Sequence, residues 1–352
     1  MRKGTALVVG ATGLTGGNLA SVLVANGWTV YGLSRRPANQ DGVIPVQTDL
    51  LDADATRTAL TGLPISHVFF CTWTRRNSEA ENVEANGAMM NNLFAALDAD
   101  TLVHGSLVTG TKQYLGSFES YGSGTAETPF RESEPRVPGP NFYYTLEDIL
   151  IEAAERHGFA WNVHRPHTLI GSARSNVMNM GVTIAVYASI CRASGRPFVF
   201  PGSTTQWNAL TDMTDALLLG RQMEWAALAP GARNQAFNTV NGDVFRWRRM
   251  WREIGDYFEL EVADCPDTPQ PLAEQMQGVE AEWTKIAAER GLVENNVNAL
   301  ASWWHTDADL GRELECVNDL SKCRDYGFDD FRETRAAFLD LFARLRAEKI
   351  IP

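Results

Sequence analysis

The stretch TALVVGATGLTGG, residues 5–17, places a β-branched apolar run directly before Gly10, Gly13 and Gly16, and a helix-forming segment follows at 14–27. Glycine is required where a chain turns with positive φ, where backbone must approach a pyrophosphate, and where a helix packs onto a strand. The free N–H groups at the start of such a helix suit phosphate oxygens. A glycine triplet is a weak signal alone, but at a strand–turn–helix junction it points to a dinucleotide. Gly10, Thr12, Gly13 and Leu14 are therefore assigned to the cofactor.

Outward from this turn, apolar strands alternate with helices. Strands are predicted at 29–35, 43–50, 66–73, 101–110 and 160–171, and helices at 55–63, 80–97 and 146–158. Continuous rather than alternating apolar strands, separated by helices, imply a doubly wound parallel α/β sheet covered on both faces. Beyond 171 the pattern changes: helices at 179–195 and 209–228, short strands at 198–203 and 235–242, then a helical, aromatic-rich stretch to 352. The implied organisation is a Rossmann domain over 1–171, with 204–242 returning to it. A smaller, mainly helical substrate-binding region comprises 172–203 and 243–352. Most tryptophans fall in the second half, as core fillers or as the lining of an apolar pocket.

The net charge of −12 argues against nucleic acid, whose backbone calls for a basic face. No run is long and apolar enough for a membrane span. Five cysteines without a C-x-x-C pair indicate neither metal nor disulfide framework. A cytoplasmic protein with free thiols is expected.

The end of the second strand faces the adenosine ribose and discriminates between cofactors. Here GLSRRP, residues 32–37, offers Ser34, Arg35 and Arg36 and no acid. Guanidinium groups suit a 2′-phosphate, so NADPH (NADP+) is expected rather than NADH. Asp49, in QTDLLD, is placed to accept from the adenine amino group, with Leu50 beside it. Cys71, Thr72 and Trp73 run past ribose and pyrophosphate.

NFYYTLED, residues 141–148, has the look of an active-site tyrosine segment, which ordinarily carries a lysine four residues on. Glu147 and Asp148 stand there instead. A tyrosine that donates to a developing oxyanion needs a cation near it in space to lower its pKa from about 10. Lys112, just past the strand ending SLVTG, is the best placed candidate, because the carboxyl end of that strand opens onto the nicotinamide.

LVTGTKQYLGSFESYG (107–122), NFYYTLED and WNVHRP (161–166) resemble the motifs of the progesterone 5β-reductase/iridoid synthase-like enzymes, atypical short-chain dehydrogenases. GATGLTGG, LSRRP, TDLLD and CTWTRRNSEAENVEANGAMMNNL fit the same family in the same order. The resemblance implies NADPH-dependent reduction of the C=C bond of a small-molecule enone or enal. It makes Lys112 and Tyr143 the catalytic pair and gives Tyr144 a supporting role. It assigns Thr109, Gly110, Pro166 and Thr168 to the cofactor, sets Phe118 and Tyr143 against the substrate, and implies a homodimer. His167 departs from the family pattern and stands either near the nicotinamide or as a buried histidine satisfied by backbone. Thr111 and Gln113 replace the basic residues of plant members and suggest a bacterial-type protein. Rival readings are a carbonyl reductase, a nucleotide-sugar epimerase or dehydratase (which YTLE argues against), and an NADP(H)-sensing regulator without turnover.

Overall fold

The computed structural model describes residues 3–116, 127–173 and 178–352. Phe118 therefore lies outside the described residues. Among the described residues there are nine strands: β1 Thr5–Val9, β2 Thr29–Ser34, β3 Val43–Gln47, β4 His67–Phe70, β5 His104–Val108, β6 Ala160–Pro166, β7 Leu169–Ile170, β8 Thr214–Asp215 and β9 Gln235–Thr239. Seven form one sheet in the order β3-β2-β1-β4-β5-β6-β9, and every neighbouring pair runs parallel. The order reverses between β1 and β4, so the crevice at their carboxyl ends is where this class of sheet takes its ligand. The central strands are buried on both faces, and Ala6 to Val9 have no exposed surface at all.

Helices α1 Leu14–Ala25, α2 Ala53–Leu60, α3 Glu79–Ala96, α4 Lys112–Leu115 and α5 Phe142–His157 follow the early strands. Caps fix where they begin. The Asp52 side chain accepts from Ala55 N, that of Ser78 from Glu81 N, and that of Asn141 from Tyr143 N. Asn141 thereby starts α5 at 142 rather than near 146, and both tyrosines sit in its first turn.

The second half contributes α6 Met180–Ser194, α7 Thr204–Asn208, α8 Ala216–Leu228, α9 Trp247–Phe258, α10 Leu272–Gln275, α11 Glu280–Arg290, α12 Val297–Leu300, α13 Trp303–Leu310, α14 Ser321–Asp325 and α15 Thr334–Ala347. Helix α6 is buried along most of its length and forms the axis of a second, aromatic core. There Phe198 stacks on Trp251 at 4.1 Å, and Phe200, Trp283, Phe338 and Phe342 close around them. Two expectations need correction. Residues 198–203 form no strand; Phe198 makes only an isolated bridge to Val262, because the aromatic packing supplies no neighbouring edge. The helix predicted from 209 begins at 216, where the Asp215 side chain accepts from Leu217 N and Leu218 N. Helix α8 packs back on α1 beneath the sheet. Among the described residues no helix is long and apolar enough to cross a membrane.

Candidate active site

An open cleft of about 1120 Å³ runs along the carboxyl ends of the strands. All sixteen residues assigned to the cofactor line it together with Lys112 and Tyr143, and they fall into three groups along its length.

The turn after β1 supplies Gly10, Thr12, Gly13 and Leu14. Gly10 has φ +83°, and a Cβ there would stand 2.9 Å from Cys71 O. A Cβ on Gly16 would meet Gly10 O at 2.3 Å, so only glycine lets α1 sit this close to the turn. Unlike α2, α3 and α5, α1 has no side-chain cap, and its first turn carries no acid. Its open N–H groups and positive dipole end face the cleft, an arrangement made for phosphate.

At one end of the cleft stand Ser34, Arg35, Arg36, Asp49 and Leu50. Arg35 and Arg36 are exposed and make no ion pair with a described residue. The buried Ser34 Oγ and Thr48 Oγ1 have no hydrogen-bond partner among the described residues. Two cations and two hydroxyls around one mouth fit a phosphate or ribose. Cys71, Thr72 and Trp73 leave β4 along the floor. Burial pushes the Cys71 thiol pKa up, which removes it as a nucleophile. Trp73 stacks on Phe142 at 5.3 Å.

At the other end, β5 delivers Thr109, Gly110 and Lys112, and α5 delivers Tyr143. A Cβ on Gly110 would lie 3.8 Å from the Tyr143 hydroxyl, so the phenol sits over the end of β5. Lys112 Nζ lies 5.5 Å from the centre of the Tyr143 ring and 4.4 Å from that of Phe142. The ammonium is buried and bound by Glu79, at 3.0 and 3.2 Å from its two oxygens. Glu79 was missed by sequence reasoning, which looked for the cation and not for the carboxylate that accompanies it.

Tyr144 turns away from the cleft. Its hydroxyl accepts from Val137 N and donates to Gln113 O, both at 2.9 Å. The acids that replace the usual lysine are also occupied: Glu147 pairs with Arg165 and Arg136, and Asp148 with Arg136.

Pro166, His167 and Thr168 complete the wall, facing Met178 and α13's His305 and Asp309, with Arg312 just beyond that helix. His167 is buried and satisfied, by side chains rather than backbone. Its Nδ1 lies 2.8 Å from Asp212 and its Nε2 2.7 Å from Arg312 Nη1. Burial disfavours a charge on His167, while the Cys316 sulfur and Asp212 favour one and push its pKa up to about 10. A guanidinium only donates, however, so Nε2 must accept, and we assign a neutral ring with its proton on Nδ1. Burial pushes the Asp309 carboxyl up, but the Arg312 guanidinium outweighs it and holds it below the usual range. Asp309 also accepts from Thr168 at 2.8 Å. Periodicity gave no hint of this network, whose members are scattered from 167 to 312. Among the described residues no cluster of His, Cys, Asp and Glu could hold a metal.

Fold and cleft together place the protein among the Rossmann-fold oxidoreductases. More narrowly, the chain belongs to the family of the PRISE-like Rossmann-fold domain, whose model matches residues 46–352. It is 38% identical to the (S)-8-oxocitronellyl enol synthase CYC2 of Camptotheca acuminata, with 99% of this chain and 94% of that protein covered. It is likewise 38% identical to the 3-oxo-Delta(4,5)-steroid 5-beta-reductase of Arabidopsis thaliana, with the same coverage. These relatives are plant proteins and lend no support to a bacterial source. Among solved structures, UDP-glucose 4-epimerase from Thermotoga maritima superposes with TM-score 0.67 at 12% identity, over 97% of this chain and 99% of that one. RMD from Pseudomonas aeruginosa, complexed with NADPH, gives 0.66 at 14% identity, over 97% and 98%. At such identities these two speak for the fold alone.

Proposed function

We propose that the protein is an NADPH-dependent reductase of the C=C bond of α,β-unsaturated carbonyl compounds. The observation that carries this is the meeting of Lys112, from the edge of the sheet, with Tyr143, from the first turn of α5, in one cleft with an uncapped helix start. Family membership and the reductase name of the Arabidopsis relative support it.

NADPH would lie with its pyrophosphate on Gly10–Gly13 and its 2′-phosphate between Arg35 and Arg36. When bound it supplies a hydride. Tyr143 holds the substrate carbonyl oxygen and stabilises the charge that gathers there as the β-carbon is reduced. Lys112 would bind the nicotinamide ribose and favour the polarised phenol. A proton from solvent or from the tyrosine then reaches the α-carbon. NADPH oxidation with 2-cyclohexen-1-one, run beside a saturated aldehyde, tests the assignment. Turnover of the enone supports it; turnover of the aldehyde alone makes the protein a carbonyl reductase, and tight NADPH binding without turnover makes it a sensor.

The same proposal divides the chain into a nucleotide-holding part, 1–171 with 204–242, and a substrate-holding part, 172–203 with 243–352. Family resemblance supports a cytoplasmic homodimer, which sedimentation velocity addresses. Thr111 and Gln113 beside the lysine are what favour a bacterial-type member.

A further inference from the structure

Glu79 is the first residue of α3, where an acid commonly serves the helix dipole. That role is already filled: Ser78 caps the helix, and the exposed Glu81 accepts from Asn77 N. The Glu79 side chain instead turns inward, with 4% of its surface exposed, and grips Lys112 with both oxygens. Its Oε1 also accepts the backbone N–H of Phe142, the first residue of α5, at 2.9 Å, and Asn82 Nδ2 donates to Oε2 at 3.2 Å. Asn141, the α5 cap, closes the circuit by donating from Nδ2 to Lys112 O at 3.0 Å. One carboxylate thus ties together α3, the lysine turn and the helix that carries Tyr143.

Such a pair is poorly explained by stability. Removing two charges from water costs as much as their attraction returns, and apolar residues of similar volume would serve a core as well or better. We propose that Glu79 is a positioning residue of the reduction, whose carboxylate fixes the Lys112 ammonium and the start of α5 as one preset unit beside the cofactor cleft. The inference rests on the reading of Lys112 and Tyr143 as the catalytic pair. The sequence equivalent of the missing helical lysine is therefore a triad in space: an acid from α3, a cation after β5 and a phenol from α5. The acid turns the lysine from a mobile chain into a fixed dipole with its positive end toward the Tyr143 ring.

Among the described residues, the other polar and charged groups on these elements are exposed or engaged elsewhere. On α3, Glu81 and Glu84 are exposed. On α5, Glu147 is taken by Arg165 and Arg136. On α4, the Tyr114 hydroxyl is bound to Asn238. In the loop before α3, Arg75 lies over the Trp304 ring, and Arg76 is exposed.

The test compares wild type, Glu79→Gln and Glu79→Asp with NADPH and 2-cyclohexen-1-one across the pH range, alongside melting temperature. In Glu79→Gln the buried ammonium loses the Glu79 carboxylate charge and sheds its proton more readily, while any cation that remains favours the ionised phenol. Both effects act in one direction, so the alkaline limb of kcat moves to lower pH by about one unit or more. The rate at the optimum falls by about ten-fold or more. Glu79→Asp keeps the charge but shortens the reach, so kcat drops while the limb stays in place. A lower melting temperature with an unmoved limb and wild-type kcat in Glu79→Gln overturns the proposal. Should Glu79→Gln not fold, wild-type kcat in Glu79→Asp overturns it equally. A wild type that binds NADPH but leaves the enone untouched rejects the reductase reading instead. The pH dependence of NADPH affinity then decides for Glu79: affinity lost at lower pH in Glu79→Gln supports it, and superimposed curves reject it.

Discussion

At the scale of single residues, two neighbouring tyrosines are set apart by their surroundings. The Tyr144 hydroxyl spends both hydrogen-bonding capacities on backbone, whereas Tyr143 faces the cleft beside Lys112. Replacing Tyr143 by Phe removes a transition-state donor, and kcat should fall by roughly a hundred-fold or more with NADPH affinity little changed. Tyr144→Phe should cost stability, about 1 kcal/mol in urea unfolding, and leave most of the turnover. The reverse pattern would mean that the wrong phenol has been chosen. Arg35 and Arg36 make a second case. Changing both to Ala should weaken NADPH by roughly ten-fold or more and NADH little, since only the former carries the 2′-phosphate. An unchanged ratio of the two affinities would remove these arginines from the site. The arginine reading rests on residue type at a strand end, and the choice of Tyr143 over Tyr144 rests on the family resemblance. Glu79 could not: an acid at a helix start reads as ordinary capping until its burial is seen.

At the scale of elements, the glycine turn and the wall opposite the lysine behave differently. Gly16→Ala should displace α1, because the added Cβ would lie 2.3 Å from Gly10 O. NADPH affinity should fall with the helix start, and titration by cofactor fluorescence checks it; wild-type affinity would show that the turn absorbs the shift. The turn and the doubly wound parallel class of the sheet were legible because glycine spacing and apolar strand runs are local signals. The polar wall was not. His305 and Asp309 come from one face of α13, and His167, Asp212 and Arg312 join only through tertiary contacts. The tryptophans were also ambiguous from sequence. Trp207, Trp247, Trp251 and Trp283 fill the second core, and Trp73 is the one tryptophan among the described residues that lines the cleft.

At the scale of the whole molecule, the sheet carries a hidden sensitivity to acid. His67, His104 and His164 are buried along its core, where burial lowers all three pKa values, to about 4 for His67 and His164. The unfolded chain takes up protons as pH falls through 6.5, while the folded chain resists until about 4. Stability is therefore whole above 6.5 and lost progressively below it, by a few kcal/mol at about pH 4. The urea midpoint should decline steadily across that window, and a flat midpoint would show that the histidines titrate normally in the fold. The proposed reduction turns on which carbon of the enone receives the hydride. NADPH deuterated at the transferable position, reacted with 2-cyclohexen-1-one and analysed by mass spectrometry and NMR, answers it directly. The account predicts cyclohexanone labelled at C3, the former β-carbon. Label on the carbinol carbon of 2-cyclohexen-1-ol would contradict it.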